Sequence, residues 1–406
     1  MHQPLVWTNS KPISNLEKMF HSKGHMERWD AKLIARAYKN PAKYVKRLKK
    51  GGYKPRIMVD YSGILLESLE YLSQKKFFTK ARVEGKKIGN IIKSLKEVLN
   101  KHPDCIEFAG TAYSHCYFPA TPEEDWVYQL DEWKKVFRKL FGKKSLKRVK
   151  GFWLPEMGVP GFEDKLSKLI KAVLDAGYEW IILPLQAAEG YEQLSLEKRI
   201  QAVCQPHLLK ARDQSIPVIF RVPTYFIDQQ SGCDTNELYR KAREAAKIFS
   251  KISDRPALIV PAGDGENGNV MMNEFFPQTF VPFFKNKIDN KVSSMLVTEF
   301  LRKYYTKNGK ITPKSKIKLK TLGASWIGSH GSWIEGTRRL KMIKKVERLS
   351  KEFSERKRDL KGKTLEEAKK ALLIAETSCY VYWDIDFWFN QGEKALLFAY
   401  KKLKTL

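Results

Sequence analysis

Gly151-Phe152-Trp153-Leu154-Pro155-Glu156-Met157-Gly158 sets one carboxylate behind an aromatic and apolar strand end and in front of Met and Gly. Further along, Val260-Pro261-Ala262-Gly263-Asp264-Gly265-Glu266-Asn267-Gly268 presents a second carboxylate, again at the end of an apolar run. Neither run suits a surface helix or a metal clip. Acidic groups at the ends of separate strands fit a parallel barrel, whose active sites sit where strands end and loops begin. Two carboxyl groups delivered into one cleft are also the minimum equipment for splitting a glycosidic bond.

Working outward, apolar runs of strand length alternate with longer amphipathic stretches, the pattern of β-α units around a parallel sheet or barrel. Strands are expected at Arg56 to Asp60, Cys105 to Gly110, Val149 to Leu154, Trp180 to Leu183, Pro217 to Arg221 and Ala257 to Pro261. Helical spacing covers Ser62 to Leu72, Val83 to Leu99, Asp125 to Phe141, Pro160 to Ala176, Thr235 to Ile252 and Gln278 to Tyr305. Helices from Trp333 to Asp359 and Thr364 to Phe398 then dominate, without strand runs between them. The expected architecture is α/β, with a barrel-like catalytic domain over 1–310. A helical C-terminal domain over 311–406 completes the cleft. The chain opens on the tip Met1-His2-Gln3-Pro4 with no apolar residues before it, so its first strand reads as truncated or as starting upstream.

The composition sets limits. At 406 residues, 43% hydrophobic and 12% aromatic, the chain has ample material for a buried core. Lys and Arg number 75 against 45 Asp and Glu, a formal net charge of +30. A nucleic-acid partner needs such an excess. Here the basic residues are scattered through nearly every helix, including Lys43 to Lys50, Lys134 to Lys150 and Arg339 to Arg358, with no RNA-binding module signature. A solvated Lys-rich surface is the better reading. The five cysteines form no Cys-x-x-Cys pair and their odd count leaves one free, which argues for a reducing compartment. No apolar run approaches the roughly 20 residues of a membrane span, and no signal peptide opens the chain. A cytoplasmic location is expected.

Polar and aromatic residues recur at the strand ends. His115 closes Glu107-Phe108-Ala109-Gly110-Thr111-Ala112-Tyr113-Ser114-His115, just past a strand. The C-terminal part adds Ser325-Trp326-Ile327-Gly328-Ser329-His330-Gly331 and Glu376-Thr377-Ser378-Cys379-Tyr380-Val381-Tyr382-Trp383-Asp384. Clustered Trp and Tyr near polar groups suit sugar rings, whose C–H faces stack on aromatic planes while hydroxyls seek hydrogen bonds. His2-Gln3-Pro4, the segment ending at His115, Trp153-Leu154-Pro155-Glu156 and Asp264-Gly265-Glu266-Asn267 fall in one order. With the segment at 376–384 they resemble the five sequence regions of glycoside hydrolase family 57, over nearly the whole chain.

That resemblance implies an incomplete seven-stranded (β/α) barrel with a helical C-terminal domain, acting on α-linked glucans or galactosides with retention through a covalent glycosyl-enzyme. It matches Glu156 to the nucleophile and Asp264 to the general acid/base. His2 and His115 match histidines lining the subsite of the attacked sugar. Gln3, Trp153, Glu266, Trp326 and Trp383 complete the expected substrate-binding set. In a retaining enzyme the nucleophile stays ionised while its partner holds a proton, a division that like charge and partial burial produce. No cofactor and no metal are called for.

Each role has a plainer rival. Glu156 alone reads equally as a salt-bridged strand-end carboxylate. Asp264 and Glu266 point to the same side of an extended segment, so geometry does not separate them; the family pattern favours Asp264. Trp326 and Trp383 also suit a core between the two domains, and Met271 and Met272 suit packing. His21 and His25 stand four apart, a spacing that grips zinc on a helix, yet no strand-end Asp pair accompanies them and solvated histidines are the better reading. The expected activity is that of an α-amylase on α-1,4-glucan or maltooligosaccharide. The alternatives are a 4-α-glucanotransferase, a branching enzyme, an α-galactosidase, or a catalytically silent carbohydrate- or nucleic-acid-binding protein on the same scaffold.

Overall fold

A computed structural model describes residues 1–8, 11–227, 234–265, 274–286 and 291–404. A run of parallel strands organises the N-terminal part. Ile57–Val59 pairs in parallel with Ile106–Phe108, and a parallel bridge from Gly110 to Phe152 carries the arc on to Gly151–Trp153. Gly151–Trp153 pairs with Trp180–Pro184, and that strand with Gln214–Arg221, both in parallel. An antiparallel strand, His207–Ala211, and the short Lys316–Ile317 extend this five-stranded sheet at its far edge.

Side-chain alternation along the arc gives it two apolar faces. Phe152, Ile181, Leu183, Val218 and Phe220 join the main core under the helices. Trp180, Ile182 and Ile219 point the other way, into a second cluster with Met157, Leu258, Val260, Phe300 and Leu301, and Trp153 and Met58 pack against it. Glu107 lies buried on the Ile106–Phe108 strand and accepts from the Thr298 backbone N–H at 3.3 Å. Its desolvation there raises its pKa. The helices Gly63–Leu72, Trp126–Leu146 and Glu163–Asp175 cover the outer face, and Thr337–Arg356, Gly362–Ala375 and Asp386–Lys404 form the helical C-terminal region.

Several expected elements differ. The stretch read as a helix from Val83 opens instead as a two-stranded hairpin, Arg82–Val83 with Lys86–Lys87, and the helix begins at Ile91. Glu84 and Gly85 turn it with φ of 49° and 72°, the left-handed pair of a tight hairpin. Gln278 to Tyr305 is no single helix: Val281–Lys285 and Val297–Tyr304 are separate pieces. The helix expected from Thr364 to Phe398 breaks between Ala375 and Asp386, around a turn where Asp384 takes φ 50°. Ala257 to Pro261 is not a regular strand, although Val260 accepts from the Val222 N–H at 3.0 Å. The N-terminal hairpin Leu5–Thr8 with Lys11–Ser14, and the long helix His25–Lys50, escaped the reading. Pro41 interrupts that helix in sequence but not in structure, while Ala31, Ala35, Tyr38, Ala42 and Val45 form its buried stripe.

Candidate active site

Glu156 leaves the Gly151–Trp153 strand on a single 3-10 turn, Pro155–Met157, in which Glu156 and Met157 adopt φ of 56° and 48°. Left-handed backbone is costly for side chains other than glycine and persists where neighbours enforce it. Here the enforcement comes from outside the turn. The Glu156 carbonyl accepts from the Trp326 N–H at 3.2 Å, and the Trp326 indole Nε1 donates to Glu156 Oε2 at 3.0 Å. Trp326 is brought there by an antiparallel pairing of Gly323–Ala324 with Val159–Pro160. Gly323 sits at φ 76° and so close to the Val159 carbonyl that any β-carbon would collide.

His115 follows the same pattern, with φ 59° just past the Ile106–Phe108 strand. Its Nδ1 stands 3.0 Å from Ser378 Oγ and 3.7 Å from Glu156 Oε1. The His2 ring stacks on it with centroids 4.5 Å apart and planes 5° from parallel. His2 Nδ1 in turn lies 2.8 Å from Ser62 Oγ, the hydroxyl that also caps the helix Gly63–Leu72. His2 is 4% and His115 9% exposed. Burial pulls both imidazoles below their usual range, His115 to about 3, so the stacked pair is neutral beside the carboxylate.

Asp264 is exposed, on a loop whose next residue, Gly265, presses against the Met1 side chain beside His2. The two carboxylates share a neighbour. Burial first, then the charges of Glu156 and Asp264, raise the pKa of the Tyr382 hydroxyl. Tyr382 belongs to a chain of rings: Tyr117 stacks on Trp333 at 4.5 Å, Trp333 meets Tyr382 at 5.1 Å, and Trp383 stands edge-on to Tyr382 at 4.9 Å. Arg339 holds the turn that carries them, donating from Nε to the Val381 carbonyl at 3.0 Å and pairing with Asp384 at 3.3 Å. Trp326 and Trp383 are 38% and 54% exposed, large aromatic faces open to solvent at the rim.

Other expected site residues fall differently. Gln3 is buried and accepts from Asn15 Nδ2 at 3.2 Å, a contact within the N-terminal segment. Trp153 packs against the interior cluster. Glu266, Met271 and Met272 lie outside the described residues. His21 ends one helix with its ring 4.4 Å from Phe77, and His25 begins the next. Among the described residues, no group of three or more His, Cys, Asp and Glu is arranged to hold a metal ion. Sequence reasoning missed Ser62, Tyr117, Trp333 and Arg339. Of these, only Ser62 carried a local signal, as the first residue of an expected helix.

The arrangement offers two carboxyl groups, neutral imidazoles able to hydrogen-bond hydroxyls, and exposed aromatic planes. Three solved structures have the same fold. A GH57-type branching enzyme from Pyrococcus horikoshii superposes with a TM-score of 0.64 and 15% identity, over 95% of this chain and 85% of that one. A 4-α-glucanotransferase from Thermococcus litoralis gives 0.63 and 17%, over 99% and 59%. An α-amylase from Thermotoga maritima gives 0.62 and 13%, over 100% and 92%. No curated protein matches the chain. The profile of Glycosyl hydrolase family 57 matches residues 1–318, and on that match the chain belongs to this family.

Proposed function

We propose that the chain is a retaining enzyme acting on α-1,4-glucan, most simply an α-amylase, with Glu156 as nucleophile and Asp264 as general acid/base. One observation carries this reading: Glu156, held by the Trp326 indole, and Asp264 both lie close enough to Tyr382 for their charges to raise its hydroxyl pKa, which is the expectation for carboxylates lining one cleft. In the proposed cycle Asp264 protonates the leaving glycosidic oxygen as Glu156 attacks the anomeric carbon. The resulting ester is cleaved by water that Asp264 deprotonates, and two inversions give net retention. Such a pair works at roughly 5–5.5 Å. The neutral His2 and His115 serve as hydrogen-bond partners for the sugar in the attacked subsite, and Trp326 and Trp383 as stacking planes beside it. We further read the parallel arc as part of an incomplete (β/α)7 barrel over 1–310, with 311–406 as the domain that closes the cleft. The free thiols of Cys105, Cys116 and Cys204 fit a cytoplasmic, reducing setting. Among the described residues no helix is long and apolar enough to cross a membrane.

Maltoheptaose tests the activity. Hydrolysis creates new reducing ends; disproportionation creates longer chains without them, and would make the enzyme a glucanotransferase on the same two carboxylates. A wild-type enzyme that binds maltoheptaose and leaves it intact in every assay contradicts the catalytic reading.

A further inference from the structure

Beneath His115 lies a buried polar network that the proposed chemistry does not use. Gln129, fully buried on the helix Trp126–Leu146, donates from Nε2 to Ser114 Oγ at 2.8 Å and to Glu376 Oε2 at 2.6 Å, and its Oε1 accepts from the Ser114 N–H at 2.9 Å. One amide thus ties the residue before His115 to the residue two before Ser378. Those segments are further joined by an antiparallel bridge from Cys116 to Thr377 and by the Ser378 N–H donating to the His115 carbonyl at 3.3 Å. The Ser378 hydroxyl is the one 3.0 Å from His115 Nδ1.

Glu376 and Asp125 close the network. Both are buried and within hydrogen-bonding reach of each other, with the Ser350 hydroxyl as a further neighbour of Asp125, and with both protons absent Glu376 Oε1 and the Asp125 oxygens would face one another as bare acceptors. A buried acceptor left so is costly, and a proton on Glu376 donated to Asp125 gives Glu376 Oε1 and one Asp125 oxygen a partner. The charged groups facing the pair are Glu124, which adds negative charge, and Lys357 at the end of helix Thr337–Arg356, which offsets it. The nearby Cys116 thiol is held protonated and Ser350 donates to Glu124 at 3.3 Å, so neither supplies a countercharge.

We propose that Glu376 and Asp125 share one proton and act, through Gln129, as positioning residues that hold the His115 and Ser378 segments together and so set His115 against Glu156. The proposal rests on the reading of Glu156 as the nucleophile. Burial and the neighbouring Asp125 charge raise the Glu376 pKa well above the ordinary carboxylate range, in keeping with a retained proton. As pH rises and that proton leaves, two buried carboxylates face each other, and their repulsion pushes Glu376 away from the position in which Gln129 holds it.

Glu376→Gln is the test, because an amide donates to Asp125 and accepts from Gln129 at every pH. The ratio of variant to wild-type kcat on maltoheptaose is expected to rise with pH, since limbs due to Glu156 and Asp264 are common to both and divide out. Glu376→Ala should lower kcat by about tenfold or more with KM changed less than about threefold, the mark of misplaced groups in place of lost substrate contacts. Glu156→Gln runs beside them: if it matches wild type, the active-site reading fails and the network is then judged on unfolding alone. Folded-state pKa values raised above the unfolded ones contribute stability at low pH that is lost as pH rises through them. The melting temperature of Glu376→Gln should therefore gain on wild type as pH rises. A kcat ratio flat with pH, or, where no turnover is available, a melting difference flat with pH, overturns the proposal.

Discussion

His115 shows how one residue's surroundings set its chemistry. Unfolded, its imidazole takes a proton near pH 6.5; folded, burial delays this to about pH 3. The folded pKa is depressed, so the associated stability is present above 6.5 and is lost as pH falls from 6.5 toward 3. Replacement by Asn should flatten the acid side of a urea-midpoint profile over that window, and a profile identical to wild type would contradict the buried neutral imidazole. Glu156→Gln should cut turnover by about four orders of magnitude or more while leaving glucan Kd within a few-fold, measured by calorimetry beside the rate assay. Trp326→Phe keeps the ring but loses the indole N–H. A hydrogen bond to a charged group is worth about 1.5–3 kcal/mol, so kcat should fall roughly tenfold to a hundredfold with folding intact. At this scale the sequence is informative where a motif names the residue, as for Glu156 and His115, and where an aromatic stands among polar residues, as for Trp326. It was silent on Tyr382 as the neighbour of both carboxylates and on Ser62 and Ser378 as histidine partners, since those contacts join residues distant along the chain.

Among the elements, the parallel strands were legible because buried strands read as short apolar runs, and Gly151–Trp153 and Trp180–Pro184 carry that signal plainly. The hairpin at Arg82–Lys87 was hidden inside a basic, helix-like stretch, and the helix His25–Lys50 behind Pro41. The short pairing of Val159–Pro160 with Gly323–Ala324 has too few residues to be read from periodicity, yet it aims Trp326 at Glu156. Gly323→Ala meets both a left-handed φ of 76° and the Val159 carbonyl. It should cost on the order of 2 kcal/mol or more of unfolding free energy and lower kcat together with it. A variant of wild-type stability and rate would show that this pairing does not set the site.

Across the whole molecule, a net charge of +30 invites a polyanion reading that the dispersed basic residues do not favour. Glucan binding through stacking and neutral hydrogen bonds should change less than about twofold between 50 and 200 mM salt, whereas a protein making several phosphate contacts loses about a thousandfold or more. A steep salt slope for maltooligosaccharide affinity would contradict the neutral site. The proposed chemistry turns on one bond, between Glu156 and a sugar. Asp264→Ala, incubated with an α-maltosyl fluoride whose good leaving group needs no acid, should accumulate a covalent adduct that peptide mapping by mass spectrometry assigns to Glu156. An adduct on another carboxylate, or none from a protein whose wild type cleaves maltoheptaose, contradicts the account.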